Sequence, residues 1–213
     1  MKVAIVIPAY NEEETLGDVV SACRQVPGVS EVIVVSDGST DRTAEVARQA
    51  GATRVVELTE NQGKGAAMKV GVDHTNADVV LFVDGDLVGL TPRHLTDLVR
   101  PVLEGTADMT VGLFDGGRFT SDFAQVVAPF LSGQRAMRRS LLDQVEDMQD
   151  ARYGVEVILT DTARRLGAAV VEVPLEQLTH RHKEEKAGLA KGFALRMKMY
   201  WEIMKSVQKI QRR

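Results

Sequence analysis

The sequence predicts a doubly wound α/β fold, in which a mostly parallel sheet carries helices on both of its faces. Short aliphatic runs alternate with helical stretches through the first half of the 213 residues. These runs are apolar at consecutive positions, which is typical of parallel strands that are buried on both faces. Right-handed crossovers between such strands place helices on both sides of one sheet, and ligands in these folds bind beyond the carboxyl ends of the strands.

The first half contains four predicted strands and three predicted helices. The strands cover residues 3–7, 31–36, 53–58 and 78–84, and each contains a run of Val, Ile or Leu. One helix covers residues 13–24, the second runs to Ala50 from a cap formed by Ser39, Thr40 or Asp41, and the third covers residues 64–74.

The second half is less regular. We predict strands over residues 107–112 and 168–173, a helix over 153–166, and a mobile loop over 114–123, where glycines and polar residues gather. Residues 189–210 have helical spacing and therefore predict an amphipathic C-terminal helix. Its apolar face contains Leu189, Phe193, Met197, Tyr200 or Trp201, Met204 and Val207. We expect one domain over residues 1–213.

Composition and charge argue against a disulfide-bonded, a membrane-spanning or a nucleic-acid-binding protein. Cys23 is the only cysteine, so no disulfide forms within the chain, and no apolar run approaches the roughly 20 residues that span a bilayer. The first residues resemble a strand more than a signal peptide, and we expect a cytoplasmic protein. Residues 1–180 carry a net charge of −11, which argues against a nucleic-acid ligand.

Residues 181–213 carry ten Lys or Arg and three Glu, a net charge of +7. This basic tail has two interpretations. It can pack on the body of the protein, or form a homodimer contact, through its apolar face. It can instead rest on an anionic membrane surface, as basic amphipathic helices do. We favour packing.

The strongest chemical signal is the pair Asp84 and Asp86, which follows the fourth strand and is separated by Gly85. Side chains at positions i and i+2 project to the same side when strand geometry persists. Two neighbouring carboxylates repel each other, and a bound cation relieves that repulsion. Hard oxygen ligands suit Mg²⁺ or Mn²⁺, which keep open positions for phosphate oxygens.

Three other strand ends carry weaker signals. The first strand ends in Pro8, Ala9, Tyr10, Asn11 and Glu12. Tyr10 can lie against a flat base, although Asn11 can equally cap the next helix. Asp37 after the second strand suits a ring N–H of a donor or a helix cap. Gly63 and Lys64 open the third helix, where backbone N–H groups and a lysine favour phosphate. Together these turns suit a nucleoside diphosphate with a divalent metal.

The motifs resemble those of the GT-A nucleotide-sugar glycosyltransferases of the family 2 type. The segments are Val-Ile-Pro-Ala-Tyr-Asn-Glu-Glu at 6–13, Val-Val-Ser-Asp-Gly-Ser-Thr-Asp at 34–41, Asn-Gln-Gly-Lys-Gly at 61–65 and Asp-Gly-Asp at 84–86. The resemblance implies that Pro8, Tyr10, Glu12 and Asp37 hold the nucleoside and that Lys64 lies near the donor. It places Asp84 and Asp86 around ribose, metal and diphosphate, with Asp86 the more direct metal ligand.

The second half resembles glucosyl-3-phosphoglycerate synthases at residues 132–142, 153–156 and 180–183, and polyprenyl-phosphate sugar synthases at 154–156 and 171–174. The first resemblance implies that His180 or His182 binds the metal. Arg135, with Arg138 and Arg139, is then expected to clamp an acceptor phosphate, although a solvated helix face is the alternative. Glu156 is expected to orient an acceptor hydroxyl. Alternatively, its negative charge only interacts favourably with the dipole at the N-terminus of its helix.

From these signals we predict a metal-dependent glycosyltransferase. Residues 1–90 would bind a UDP-sugar, 91–188 a small phosphorylated acceptor, and 189–213 would form the basic helix. The resemblance implies glucose as the sugar and retention of configuration, while Glu146, Asp147 and Asp150 are candidate bases for an inverting reaction. The alternatives are a polyprenyl-phosphate sugar synthase at the membrane surface and a binding module without activity. A sugar-phosphate nucleotidyltransferase is disfavoured because its glycine-arginine phosphate loop is absent.

Overall fold

The computed structural model describes residues 1–114, 132–151 and 154–180. Its strands are β1 (Val3–Ala9), β2 (Val29–Asp37), β3 (Arg54–Leu58), β4 (Val79–Phe82), β5 (Leu87–Val88), β6 (Met109–Phe114), β7 (Arg135–Arg138), β8 (Val170–Leu175) and β9 (Thr179–His180). Its helices are α1 (Leu16–Arg24), α2 (Thr43–Gln49), α3 (Lys64–Asp73), α4 (Pro92–Leu103), α5 (Arg139–Leu142) and α6 (Val155–Arg165), with a 3-10 turn at Met148–Asp150.

Seven strands form one sheet in the order β3-β2-β1-β4-β7-β6-β8. All neighbours run parallel except β7, which is antiparallel to both β4 and β6. The mostly parallel α/β fold predicted from the sequence is therefore confirmed. Because β1 to β4 point the same way, the turns that follow them meet at one edge of the sheet.

Both faces of the sheet are covered, which explains the unbroken aliphatic runs. Ile5 and Ile7 of β1 face one core with Leu16 of α1 and Leu98 of α4. Val6 between them faces the other core, which contains Met68 of α3 and Leu159 of α6. Alternate residues of a strand point to opposite faces, so a strand covered on both sides needs apolar residues throughout.

The region around Arg135 is a strand and not the solvated helix face that was the alternative to a phosphate clamp. Residues Arg135–Arg138 form β7, whose Arg135 pairs with Phe82 of β4. Alternation is hard to read in this strand because its four residues include two arginines. The helix Pro92–Leu103 was also not predicted, although Thr91 caps it by accepting a hydrogen bond from the His94 N–H and Pro92 occupies its first turn.

The predicted cap of α2 is confirmed for Asp41. The helix begins at Thr43, and Asp41 Oδ1 accepts a hydrogen bond from the Thr43 N–H at 3.0 Å, while the N-cap residue Arg42 makes no side-chain capping bond. The other oxygen, Asp41 Oδ2, and Ser39 Oγ accept hydrogen bonds from the loop after β1. Asp41 therefore both caps α2 and joins two loops.

Several predictions lie outside the described residues. They are most of the loop at 114–123, of which Phe114 ends β6, and the whole of the C-terminal helix at 189–210. None of the helices that the structure does describe is long and apolar enough to cross a membrane.

The start of α3 packs so closely on the turn at Met148–Asp150 that it tolerates no side chain at Gly65. A Cβ there would overlap the carbonyl oxygens of Met148 and Ala151, which are backbone atoms that cannot rotate away. The Gly65 N–H donates to the Ala151 carbonyl oxygen at 3.2 Å. This contact holds the second half of the chain against the residue that precedes Gly65, Lys64.

We expect Gly65→Ala to lower the free energy of unfolding by about 1–3 kcal/mol, because one of the two segments must shift. Gly17→Ala is the matched control, since Gly17 is also the second residue of a helix and its Cβ would meet only Val46 Cγ1 at 3.4 Å. That control should be neutral or stabilising by up to about 1 kcal/mol. Urea unfolding of both variants checks this, and equal effects would contradict it.

Candidate active site

The loops that follow β1 and β2 are bonded into one wall of the site. The Asn11 N–H donates to Ser39 Oγ at 3.2 Å, and the Thr40 N–H donates to Asn11 Oδ1 at 2.8 Å. The Glu12 N–H donates to Thr43 Oγ1 at 2.8 Å. Asn11 adopts a positive φ of 54°, a conformation that asparagine tolerates better than most residues. This wall is fixed by the chain itself before any ligand binds.

The predicted nucleoside residues lie on or beside this wall. Pro8 and Ala9 are the last residues of β1, and they pair with Val35 and Ser36 of β2. Tyr10 follows them and is 47% exposed, so it offers an open aromatic surface at the edge of the sheet. The contact of Tyr10 with a base stays a prediction.

Glu12 and Gly85 bring this wall against the acid pair. Glu12 is buried, and a Cβ on Gly85 would meet Ala9 Cβ at 3.3 Å and Glu12 Cγ at 3.6 Å. The Gly85 carbonyl oxygen accepts a hydrogen bond from Thr15 Oγ1 at 2.8 Å. The turn between Asp84 and Asp86 is therefore packed tightly on the end of β1.

Asp37 holds the loop that leads into α3. Its two carboxylate oxygens accept hydrogen bonds from the N–H groups of Gln62 and Gly63, at 2.8 and 2.9 Å. Gly63 has a positive φ of 98°, which glycine adopts readily. Asp37 thus aims the N-terminus of α3 at the site, and its expected contact with the nucleoside stays a prediction.

Lys64 is the cation at the centre of the site. Its Nζ lies 2.6 Å from Asp84 Oδ1 and 2.7 Å from Glu156 Oε1, and the lysine side chain is only 27% exposed. Burial acts to lower the pKa of Lys64, but the charges and hydrogen bonds of Asp84 and Glu156 outweigh it and raise the pKa above its ordinary value. Lys64 is therefore protonated at neutral pH and joins the end of β4 to the start of α6.

Sequence analysis missed two residues that shape this cluster. Gln134 Nε2 donates to Asp84 Oδ2 at 2.9 Å, and Gln134 is fully buried. A Cβ on Gly133 would come within 2.6 Å of Lys64 Nζ and 2.5 Å of Asp84 Oδ2, so this glycine leaves room for the ion pair. Both residues directly precede β7, in the segment 132–142 that carries the resemblance to glucosyl-3-phosphoglycerate synthases, but the sequence assigned neither of them a role.

The structure corrects the role expected for Arg135. Its side chain is completely buried, Nε donates to the Ser132 carbonyl oxygen at 2.8 Å, and Nη1 donates to Thr160 Oγ1 at 2.6 Å. Burial lowers the pKa of Arg135 to about 10, while the charges of Glu156 and Asp84 favour its protonated form. A buried guanidinium cannot clamp an acceptor phosphate in this arrangement. The positive charge of Arg135 instead stabilises the carboxylates of Glu156 and Asp84.

Arg138 and Arg139 are also not at the site. Arg138 pairs with Val79 at the opposite end of β4 and forms an ion pair with Asp108. Arg139 bonds Asp143 and the Thr75 carbonyl oxygen. Arg135 and Arg138 begin and end β7, so they lie near opposite ends of β4. The three arginines therefore do not meet at one site, and the predicted clamp is wrong.

The second acid, Asp86, is buried and lies immediately before β5. In the short antiparallel pair of β5 and β9, Leu87 is opposite His180, so the backbone of His180 lies beside the acid pair. The side chain of His180 and all of His182 lie outside the description, and their role as metal ligands stays a prediction.

The donor set fits a divalent metal that is bound mainly by a substrate. Among the described residues, three or more His, Cys, Asp or Glu side chains do not gather in a group that could hold a metal ion. Mg²⁺ needs only one or two carboxylates when substrate phosphates and water complete its shell. Asp84 and Asp86 can supply those carboxylates.

Comparisons with known sequences give two kinds of relative. Glucosyl-3-phosphoglycerate synthase of Mycobacterium tuberculosis is 34% identical over 221 residues, which cover 85% of this chain and 67% of the relative. Undecaprenyl-phosphate 4-deoxy-4-formamido-L-arabinose transferase of Edwardsiella ictaluri is 28% identical and matches 89% of this chain and 64% of the relative. The chain thus spans about two thirds of the length of these curated relatives.

Solved structures of the Mycobacterium tuberculosis synthase are similar in fold. Its complex with Mg²⁺ and uridine diphosphate gives a TM-score of 0.76 at 30% identity, over 98% of this chain and 79% of that one. Its complex with Mn²⁺, UDP-glucose and phosphoglyceric acid gives 0.69 at 32% identity, over 87% and 75%. The model of the family described as Glycosyl transferase family 2 matches residues 4–139. The chain therefore belongs to glycosyl transferase family 2, as its motifs at the strand ends predicted.

Proposed function

We propose that this protein transfers glucose from UDP-glucose to a small phosphorylated acceptor, with a divalent metal and with retention of configuration. The observation that carries the proposal is the Lys64 ammonium, held 2.6 Å from Asp84 and 2.7 Å from Glu156. It lies between the acid pair expected to face the donor and the carboxylate expected to face the acceptor. The similarity to a synthase solved with Mn²⁺, UDP-glucose and phosphoglyceric acid supports these substrates.

The donor would bind at the edge where the first four strands end. The exposed ring of Tyr10 would lie against the uracil, with Pro8, Glu12 and Asp37 around the nucleoside. The wall formed by the loops after β1 and β2 is already bonded in place, so binding the base costs little ordering of the chain.

The diphosphate would lie over the acid pair and Lys64. Asp86, with Asp84 and His180 or His182, would hold Mg²⁺ or Mn²⁺, which neutralises charge on the departing diphosphate when bound. An ammonium has three N–H donors, so Lys64 can keep both of its carboxylates and still donate to a diphosphate oxygen. Donors fixed before the reaction stabilise developing charge without rearranging as it appears.

The acceptor would approach from the side of α6. Glu156 at the start of that helix would accept a hydrogen bond from the acceptor hydroxyl, and its carboxylate is held in place by Lys64 at 2.7 Å. Holding the hydroxyl close to the sugar makes the transfer effectively unimolecular. We propose no dedicated base, in keeping with retention.

The proposed function predicts metal-dependent release of UDP from UDP-glucose, at first as slow hydrolysis and faster with the acceptor. Asp86→Asn should lower this rate at least about 100-fold, because a metal bound through a carboxylate loses a charged ligand. Asp73→Asn, on an exposed acid paired with Lys69, is the control and should keep the rate within about twofold. A folded wild-type protein that binds no nucleotide sugar in the presence of Mn²⁺ would contradict the proposal.

Lys64→Met should lower kcat/KM for UDP-glucose by about 100-fold, because it removes the fixed positive charge beside the diphosphate. Lys69→Met is matched to it, since Lys69 is on the same helix and lies 2.6 Å from Asp73 in an exposed ion pair. That control should cost almost nothing. Steady-state kinetics on both variants checks the prediction, which fails if the two variants behave alike.

A second candidate acceptor is a polyprenyl phosphate at a membrane surface. It is favoured by the similarity to an undecaprenyl-phosphate sugar transferase and by the net charge of +7 over residues 181–213. Basic segments of this kind are attracted to anionic lipid.

The two acceptors are separated by one assay. UDP-glucose turnover is measured with 3-phosphoglycerate, with glycerol 3-phosphate, and with undecaprenyl phosphate in anionic vesicles. We expect turnover with a small phosphorylated acceptor that does not depend on vesicles, and a product that retains the α configuration by proton NMR. Turnover only with the lipid acceptor would favour the second candidate, and a β product would overturn retention.

A further inference from the structure

The carboxylate of Asp84 is held from two sides. Lys64 Nζ approaches Oδ1 at 2.6 Å, and Gln134 Nε2 donates to Oδ2 at 2.9 Å. Lys64 shares its ammonium between Asp84, Glu156 and the expected diphosphate oxygen, whereas Gln134 carries no charge and is fully buried. The amide is therefore suited to stay on Asp84 through the binding of the donor.

The orientation of the amide is itself fixed. Ser132 Oγ donates to Gln134 Oε1 at 3.2 Å, which turns the amide nitrogen towards Asp84. A carboxylate only accepts hydrogen bonds, so the nitrogen and not the oxygen of the amide must face it. The hydrogen bonds therefore run in one direction: Ser132 donates to Gln134, and Gln134 donates to Asp84.

The backbone of Gln134 is anchored as firmly as its side chain. Its carbonyl oxygen accepts a hydrogen bond from the Gly112 N–H of β6 at 2.8 Å. Arg135, the next residue, pairs with Phe82 of β4 and with Val111 of β6. Gln134 is thus held directly by β6, and its neighbour Arg135 is held by the strands on both sides of β7, so the amide reaches Asp84 from a rigid support.

We propose that Gln134 is a positioning residue, which fixes the plane of the Asp84 carboxylate so that its other oxygen faces the metal and the nucleotide. This inference rests on the proposed function, since it concerns the same site. Without Gln134, the carboxylate can rotate and give both oxygens to Lys64, which tightens the ion pair of the unliganded protein and competes with the ligand. Gln134 prevents this closed arrangement and reduces the ordering that binding requires.

The test is the affinity for UDP in saturating Mn²⁺, measured by titration calorimetry without any turnover. Gln134→Met keeps the length of the side chain and removes the donor. It should weaken UDP binding about tenfold, because Asp84 can then give both oxygens to Lys64 and binding must first break that arrangement. Gln49→Met is the matched control, since Gln49 Nε2 also donates to a carboxylate, Glu45 Oε1, at 2.9 Å but on an exposed helix. It should leave the affinity within twofold.

A merely structural role would lower the melting temperature of Gln134→Met without changing the affinity of the folded protein. Each titration is therefore made below the start of thermal unfolding. Unchanged affinity in folded Gln134→Met overturns the inference. If that variant does not fold, Ser132→Ala decides, because it only frees the amide to turn. Binding weakened about threefold supports the inference, and unchanged binding overturns it.

The two proposals fail in different ways. Wild-type protein that does not bind UDP in Mn²⁺ overturns the proposed function. Wild-type protein that binds, with Gln134→Met binding equally well, overturns only the role of Gln134.

Discussion

The ion pairs of Lys64 with Asp84 and Glu156 are the interaction on which the site depends. Two carboxylates brought together in a partly buried place repel each other and lose hydration, and this arrangement is stable only with a cation between them. Lys64 supplies that cation, and the buried Arg135 beneath adds a second positive charge. The two carboxylates and two cations balance each other, so carboxylates can lie where a metal and a diphosphate are expected to bind without a net charge on these four groups.

The fold creates this cluster by bringing distant segments to one edge. Lys64 opens α3, Asp84 follows β4 and Glu156 begins α6. The tight contact of Gly65 with the turn at Met148–Asp150 sets the distance between α3 and the second half of the chain. The antiparallel strand β7 then places Gln134 and Gly133 against the ion pair. The first contact requires the small residue Gly65, and the second requires the small Gly133 and the uncharged Gln134.

Local pattern in the sequence was enough to predict the parallel half of the sheet and its strand ends. Apolar runs of four or five residues in β1, β2 and β4 leave little ambiguity, and the turns after them have recognisable residues. β7 has four residues and two arginines, so neither its direction nor the burial of Arg135 could be read from the pattern. Gln134 acts through a partner 50 residues away, and such a contact has no local signal.

The cluster also has a consequence for how the molecule folds. Gln134 and Asp84 are 50 residues apart in the chain, and Lys64 and Glu156 are 92 apart. Contacts of such long sequence separation form late, because the entropy of closing long loops opposes them until other structure is in place. Strands β1 to β4 can pair before β7 arrives, but the carboxylates come together only when the sheet is extended by β7. A chain still emerging from the ribosome can therefore form the edge expected to bind the nucleotide before it completes the cluster around Lys64.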